Sequence, residues 1–174
     1  MTVYHSPCGD LLLACSCGRL CLCDWVSRKD RNRVNGRVRE VLGEIEGTEP
    51  GSGKEDVIAE AARQLDLYFQ GRLRQFDLPL ALAGTPFQKR VWEILLSIPY
   101  GTTVTYADIA LRLGSPSAVR AVAGAIGANA ISIIIPCHRV IGSGGRLTGY
   151  AGGLEAKRYL LNFEKTAFQA TAVP

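Results

Sequence analysis

The 174-residue sequence lacks the features of a membrane or exported protein. No apolar run approaches the roughly 18 residues of a membrane span, and residues 1–6 lack a basic stretch followed by an apolar one, so no signal peptide is predicted. The default expectation is a cytoplasmic protein. In that compartment cysteines serve more often as packing residues, metal ligands or reactive thiols than as disulfides.

A large excess of charge is also absent. The chain has 20 Lys+Arg and 16 Asp+Glu, a net charge of +4, which does not suggest a polybasic, histone-like protein. Residues 84–174 nevertheless carry 9 basic and 4 acidic side chains, whereas residues 1–83 carry 11 and 12. This asymmetry fits either an anionic partner for the C-terminal half or a solvated basic face.

The first 83 residues have the pattern of a small α/β domain. Two strand-like runs, residues 11–17 and 20–25, flank Gly18-Arg19 and predict a β-hairpin. Residues 46–55 are rich in turn-forming residues and predict an exposed loop. A helix is predicted over Asp56 to Gln70, because apolar residues recur at helical spacing: Val57, Ala61, Leu65 and Tyr68.

A change of composition at residues 83–86 predicts a boundary between two domains, residues 1–83 and 84–174. Thr85 suits the N-cap, and Pro86 the first position, of a helix reaching Ser97. A helix–turn–helix outline follows. Thr105 is predicted to cap a helix whose apolar face is Tyr106, Ile109, Ala110 and Leu113, and Ser117 to cap a second helix over residues 118–126.

The second of these helices has an unusual composition for a helix that reads DNA. Its single charged side chain is Arg120, and the other residues are Ala, Val, Gly and Ile, which offer little hydrogen bonding to base edges. Small residues let a helix lie close to another surface. That surface is either the protein core or a shallow minor groove.

The most informative stretch is residues 133–141, where an apolar run leads into Pro136 and Cys137. Cys137 precedes His138, one of only two histidines, and Arg139. An imidazole and a guanidinium favour a thiolate, although a cysteine that simply ends a buried strand has the same local pattern. Since neighbours on a strand point to opposite faces, Cys–His contact needs a turn or a bridging water. Glu164 is a candidate for orienting His138.

These motifs together resemble the O6-alkylguanine-DNA alkyltransferases, also called methylated-DNA–protein-cysteine methyltransferases. The resemblance covers residues 84–174 strongly and residues 1–83 loosely. It implies an α+β fold with a ribonuclease-H-like N-terminal α/β domain containing an antiparallel hairpin sheet. A mostly helical domain with a helix-turn-helix of winged-helix type follows. The resemblance is carried by Gly84-Thr85-Pro86-Phe87-Gln88, Val104-Thr105-Tyr106, Arg120-Ala121-Val122, Asn129, residues 135–140, residues 148–153 and residues 160–164.

The resemblance implies a monomeric DNA-repair protein that flips O6-alkylguanine, and by extension O4-alkylthymine, out of the duplex from the minor groove. Cys137 takes the alkyl group irreversibly, in a single turnover. By the family pattern His138 removes the thiol proton through a water, Glu164 orients His138, and Tyr106 protonates the leaving base. Asn129 braces the active-site turn, and Arg120 fills the space of the extruded base.

The remaining site residues are also taken from the resemblance. The helix would lie along the minor groove through Ala118, Ala121 and Gly124, and the base pocket would involve Ile126, Ser132, Val140, Tyr150 and Ala151. Ala151 stands where many relatives have Ser, so a side-chain hydroxyl contact would be lost. Taken singly, Tyr106 and Tyr150 also fit as core aromatics and Asn129 as an ordinary turn residue. The pattern is more similar to the constitutive bacterial type than to the two-site sensor.

Four further cysteines alternate along the hairpin: Cys15, Cys17, Cys21 and Cys23. They fit either a four-thiolate zinc site or small hydrophobic residues on the strands, and the second is expected. No metal or other cofactor is therefore predicted. Two other functions remain open from the residues alone: a thiol hydrolase that uses Cys137 and His138, and a DNA-binding protein that recognises lesions without repairing them.

Overall fold

The computed structural model describes residues 1–45 and 55–170. A three-stranded antiparallel sheet occupies the N-terminal region, with strands β1 (Thr2–Ser6), β2 (Gly9–Ser16) and β3 (Arg19–Trp25) in the order β1-β2-β3. The predicted hairpin is confirmed as β2 and β3. β1 was not predicted, and it is an edge strand whose residues alternate between exposed and partly buried.

Two helices accompany the sheet. Helix α2 (Glu55–Phe69) confirms the predicted helix, and all four residues of its predicted apolar face are buried. Helix α1 (Arg31–Leu42) was not predicted, because only Val34 and Val38 of its twelve residues are buried, and all the others except Leu42 are polar or exposed. Of the predicted loop over residues 46–55, residues 46–54 lie outside the described part of the chain.

The predicted N-caps Thr85 and Thr105 are confirmed, and each belongs to a reciprocal capping box. In α3 (Pro86–Leu96) the Thr85 hydroxyl accepts from the Gln88 amide, and the Gln88 side chain accepts from the Thr85 amide. In α4 (Tyr106–Arg112) Thr105 and Asp108 make the same exchange. Each box satisfies two amide groups that the first helical turn leaves without partners.

The start of the next helix differs from the prediction. Residues Pro116–Ala118 form a 3-10 turn, α5 begins afterwards and spans Val119–Gly127, and its N-cap is Ala118. The prediction that Ser117 caps this helix is therefore wrong. Pro116 has a fixed φ and no amide hydrogen, so it suits the first position of the tight turn, and Ser117 falls inside that turn. Helix α5 then packs against α3 and α4.

The chain closes with a short strand pair and a long helix. β4 (Val104–Thr105) pairs in parallel with β5 (Val140–Ile141), and α6 covers Gly153–Ala170. A single large cluster of buried side chains joins both halves of the chain: it includes Leu11 and Leu65 as well as Val91, Ile109 and Leu160.

The predicted α+β class is confirmed, with an antiparallel sheet in the N-terminal region and helices in the C-terminal region. The winged-helix assignment and the boundary at residue 83 stay predictions. Among the residues that the structure describes, no helix is both long and apolar enough to cross a membrane.

Candidate active site

A 3-10 turn over Cys137–Arg139 places the three polar residues of the central motif. Neighbouring residues of a regular strand would point to opposite faces. Because Cys137 and His138 lie in a turn instead, their side chains are not held on opposite faces of a strand. Four residues upstream of Cys137, the buried Ile133 has a φ of 69°. A β-branched residue in the left-handed region is a strained conformation, of order 1–3 kcal/mol, and such strain clusters at functional sites.

Asn129 holds both the thiol and the loop that precedes it. Its Nδ2 lies 3.3 Å from Cys137 Sγ and donates to the Ile135 carbonyl at 3.1 Å, while its Oδ1 accepts from the Ile131 amide at 2.9 Å. Cys137 is 5% exposed. Burial raises the pKa of the Cys137 thiol, and the hydrogen bond from Asn129 opposes that rise.

His138 and Glu164 form a buried pair. His138 Nε2 lies 2.7 Å from Glu164 Oε1, and both side chains are at most 1% exposed. Burial lowers the pKa of His138, although the Glu164 carboxylate opposes this shift, so the imidazole rests in its neutral form at neutral pH. A neutral imidazole that donates from Nε2 has its Nδ1 lone pair available. His138 Nδ1 is buried and has no hydrogen-bond partner within the described part of the chain.

Glu164 is held by several donors. Arg139 donates from Nε to Oε2 and from Nη2 to Oε1, each at 2.9 Å, the Gly101 amide donates to Oε2 at 3.1 Å, and the Tyr68 hydroxyl donates to Oε1 at 2.8 Å. Burial opposes ionisation of this carboxyl, but His138 and Arg139 hold the pKa of Glu164 well below its usual range. A fixed carboxylate therefore faces the imidazole.

An open cavity of about 540 Å³ lies between α5 and the loop before α6. Its walls include four of the predicted site residues: Tyr106, Ile126, Tyr150 and Ala151. Ser132 and Val140 are fully buried and are not among the lining residues. Ser132 donates to Asp24 at 3.3 Å, and Val140 belongs to β5. The Tyr106 hydroxyl accepts a hydrogen bond from Thr148 at 3.1 Å.

Helix α5 has two different faces. Val122, Ala125 and Ile126 point into the core. The opposite face presents Arg120, Ala121 and Gly124 to solvent, and Ala118 lies half-buried at the N-cap. The small residues of α5 are thus divided between a face that packs in the core and a face that is open to solvent. Arg120 has no hydrogen-bond or ion-pair partner among the described residues.

Three polar contributors to this site were given no site role by the sequence: Tyr68, Thr148 and Lys157. Lys157 is fully buried and donates to the Val140 carbonyl at 2.6 Å and the Thr148 carbonyl at 2.9 Å, so it ties together two segments of the site. Burial lowers its pKa to about 8. The sequence did contain a clue to Lys157. It lies seven residues before Glu164, so the two side chains share one face of α6.

The hairpin cysteines lie in different surroundings. Cys15 and Cys23 pack in the large core cluster, Cys21 packs in a smaller cluster beside α1, and Cys17 is exposed. Over residues 1–45 and 55–170, no three His, Cys, Asp or Glu side chains form a group suited to a metal ion.

Comparison with known proteins identifies the family. Residues 1–82 match the ribonuclease-like domain of 6-O-methylguanine DNA methyltransferase, and residues 86–166 match the DNA-binding domain of the same enzyme. A methylated-DNA–protein-cysteine methyltransferase of Methanosarcina barkeri is 47% identical over 163 residues, covering 94% of this chain and 95% of that protein.

Solved structures agree with these matches. Mycobacterium tuberculosis OGT in complex with DNA aligns with a TM-score of 0.79 at 42% identity, covering 95% of this chain and 92% of that chain. The O6-methylguanine-DNA methyltransferase of Pyrococcus kodakaraensis aligns with a TM-score of 0.63 at 26% identity, covering 94% and 96%. The chain belongs to the 6-O-methylguanine DNA methyltransferase family.

Proposed function

We propose that this protein repairs O6-alkylguanine, and also O4-alkylthymine, in duplex DNA by moving the alkyl group irreversibly to its own Cys137. The observations that carry the proposal are two buried contacts made by neighbouring residues of one turn, Cys137 with Asn129 and His138 with Glu164. The His138 ring lies 6.5 Å from the ring of Tyr150, which lines the cavity beside α5. Two relatives that cover 93% and 94% of the chain bear the name of this activity. We place the protein in the cytoplasm, as a monomer with a domain boundary at about residue 83.

The reaction is a displacement at the alkyl carbon. His138 Nδ1 accepts the thiol proton through a water, and the Glu164 carboxylate stabilises the imidazolium that results. The Cys137 thiolate then forms a bond to the alkyl carbon while the carbon–oxygen bond to guanine breaks. The electron pair stays on guanine, which takes a proton from the Tyr106 hydroxyl. A thioether remains on the protein, so each chain reacts once.

Base flipping supplies the substrate to this site, because the O6 substituent is otherwise inside the stacked duplex. The exposed small residues of α5 let its backbone lie in the minor groove, and Arg120 occupies the space that the base leaves. The helix carries no side chains suited to reading base edges, which fits a protein that inspects guanines in any sequence.

Transfer of a radiolabelled methyl group tests the proposal. Duplex DNA with labelled O6-methylguanine is incubated with wild-type protein and with Cys137→Ala, and the label is located by peptide mapping. We expect one methyl group per chain on Cys137, none on the variant and no second turnover. More repaired DNA than protein would indicate a thiol hydrolase instead, and binding without transfer would indicate a lesion-binding protein.

A second experiment separates base flipping from chemistry. Arg120→Ala is expected to slow repair of duplex DNA by about tenfold, since an extruded base is then stabilised less, while its reaction with free O6-benzylguanine stays within about twofold of wild type. Arg112→Ala, an exposed arginine at the end of α4, serves as the control for loss of one positive charge. An equal loss on duplex DNA and on the free base would refute this role of Arg120.

A further inference from the structure

The segment that links α5 to the catalytic turn is fastened to the N-terminal half of the chain. The first part of this link, residues 127–132, is the linking segment. It begins at the last residue of α5 and contains Asn129, whose side chain contacts the Cys137 thiol. Strand β3 meets it through two backbone hydrogen bonds: the Cys23 amide donates to the Ala130 carbonyl at 2.9 Å, and the Ser132 amide donates to the Cys23 carbonyl at 2.6 Å.

Arg28, just after β3, adds a fork of side-chain hydrogen bonds. Its Nη1 donates to the Asn129 carbonyl at 2.7 Å and to Asp24 Oδ2 at 2.9 Å, its Nη2 donates to the Gly127 carbonyl, and its Nε donates to Asp30 at 2.6 Å. The side chain is 3% exposed. The carbonyls at the end of a helix lack intrahelical partners and carry partial negative charge, so a buried guanidinium is well matched to the C-terminus of α5.

Asp24 extends this contact to the other end of the linking segment. While one carboxylate oxygen pairs with Arg28, the other accepts from the Trp25 amide at 3.0 Å and from the Ser132 hydroxyl at 3.3 Å. The Asp24–Arg28 pair therefore contacts residues 127, 129 and 132. It clamps the backbone of the segment whose Asn129 side chain contacts Cys137.

We propose that Arg28, paired with Asp24, is a positioning residue for alkyl transfer: it fixes the backbone of Asn129 so that the amide of Asn129 stays on the thiol. The inference rests on Cys137 as the nucleophile. It also assigns a task to the N-terminal region, which supplies both members of the clamp. Because Arg28 holds the end of α5 as well, it sets the spacing between the DNA-facing helix and the reacting sulfur. Arg28 and Asp30 also line the cavity beside α5.

Two substitutions at Arg28 and a matched control test the clamp. Arg28→Gln removes the charge and the fork, whereas Arg28→Lys keeps the charge next to Asp24 but cannot reach both carbonyls. Arg33→Gln removes an arginine that pairs with Asp30 and is 71% exposed, without touching the linking segment. The single-turnover rate constant is measured with saturating O6-benzylguanine and with duplex DNA, between about pH 6 and pH 9.

Arg28→Gln is expected to lower the rate constant on both substrates by about tenfold, Arg28→Lys by about threefold, and Arg33→Gln not at all, because small displacements at a reacting centre have large effects on rate. The pH at which the rate reaches half its maximum should also rise in Arg28→Gln, because the thiolate loses both the nearby positive charge of Arg28 and the hydrogen bond from Asn129, whereas Asp24 and Lys157 are unchanged. A rise that is also seen in Arg28→Lys, which keeps the charge, reports the displaced Asn129. A role in stability alone would lower the melting temperature and leave this pH midpoint in place.

Unchanged rate constants and midpoints in folded Arg28→Gln would overturn the proposal. If that variant does not fold, Arg28→Lys decides: a rate constant equal to that of wild type overturns the clamp, and a threefold fall supports it. Peptide mapping of the alkylated wild-type protein tests separately whether Cys137 is the nucleophile. A wild-type chain that carries the alkyl group elsewhere than on Cys137 refutes the proposed nucleophile, and the clamp with it.

Discussion

At the scale of single residues, Glu164 is the most heavily contacted group of the site. His138, Arg139, Tyr68 and the Gly101 amide all meet its carboxylate. Glu164→Gln keeps the shape but removes the charge that stabilises both the imidazolium and the buried Arg139. We expect a fall in the single-turnover rate constant of about 10- to 100-fold, and a loss of unfolding free energy of about 3 kcal/mol, measured by urea unfolding.

Tyr68→Phe is the matched control for this prediction. It removes a neutral donor from the same carboxylate and leaves the charge in place. We therefore expect it to lower the unfolding free energy by about 1 kcal/mol and to leave the rate constant within about threefold of wild type. Equal rate losses in Tyr68→Phe and Glu164→Gln would show that the charge of Glu164 contributes nothing beyond packing and hydrogen bonding.

At the scale of elements, two helical glycines form a matched pair for testing the proposal that α5 faces DNA. Gly124 on α5 and Gly36 on α1 are both exposed, and a Cβ added at either position meets no atom within 4 Å. Substitution by Leu should stabilise either helix by up to about 1 kcal/mol, because glycine is a poor helix former. Only Gly124→Leu should slow duplex repair, by about tenfold, since the larger side chain keeps α5 out of the minor groove.

Reaction with free O6-benzylguanine should be unaffected in both glycine variants, and this comparison is the internal control. Rates are measured with a fluorescent duplex that contains one O6-methylguanine. Duplex repair by Gly124→Leu at the speed of Gly36→Leu would mean that this face of α5 does not approach DNA.

The capping boxes allow a similar comparison between elements. Thr85→Ala and Thr105→Ala each remove an N-cap hydroxyl and should each lower the unfolding free energy by about 1 kcal/mol. Tyr106 is the first residue of the helix that Thr105 caps. Thr105→Ala should therefore also slow alkyl transfer, by about threefold, because the Tyr106 hydroxyl is displaced. Thr105→Ser, which retains the hydroxyl, should restore both quantities, and a slow Thr85→Ala with a fast Thr105→Ala would contradict the argument.

The elements that could be predicted are those whose signal is local. Thr85 and Thr105 mark helix starts because capping depends on residues three positions apart, and α2 is recognised because its apolar face repeats along the chain. Helix α1 was not predicted from the sequence, because most of its residues are polar and only two are buried. Ser117 was assigned a capping role because its residue type suits one, whereas Pro116 starts a 3-10 turn that decides the local backbone.

The site likewise contains residues that a local motif predicts and contacts that only the folded chain creates. The residues Cys137, His138 and Glu164 could be named from their motif, and the structure brings the latter two within 2.7 Å. The Arg28–Asp24 clamp could not be predicted, because its partners are about a hundred residues away and are mainly backbone carbonyls, which leave no trace in side-chain patterns. The positive φ of Ile133 is likewise invisible, since isoleucine is among the residues least suited to it.

At the scale of the whole molecule, the buried network of His138, Arg139 and Glu164 makes stability depend on pH. Burial lowers the pKa of His138 below the value of about 6.5 in an unfolded chain. Between these two values the unfolded state binds a proton that the folded state does not. The unfolding free energy should therefore fall as the pH falls below about 6.5.

Glu164 adds a second fall at lower pH. Its pKa in the folded protein lies well below the unfolded value of about 4.3, so its contribution is fully present above that value and is lost as the pH falls toward the folded pKa. Urea unfolding of the wild type and of Glu164→Gln between about pH 7 and pH 3 isolates this contribution, because the exposed carboxylates titrate alike in both chains. The gap in unfolding free energy should be constant above about pH 6.5. It should widen while His138 titrates, because His138 of the variant lacks the carboxylate that raises its pKa, and it should narrow below about pH 4, as wild-type Glu164 becomes protonated in the unfolded state. A gap that stays constant to pH 3 would contradict a carboxylate held ionised by His138 and Arg139.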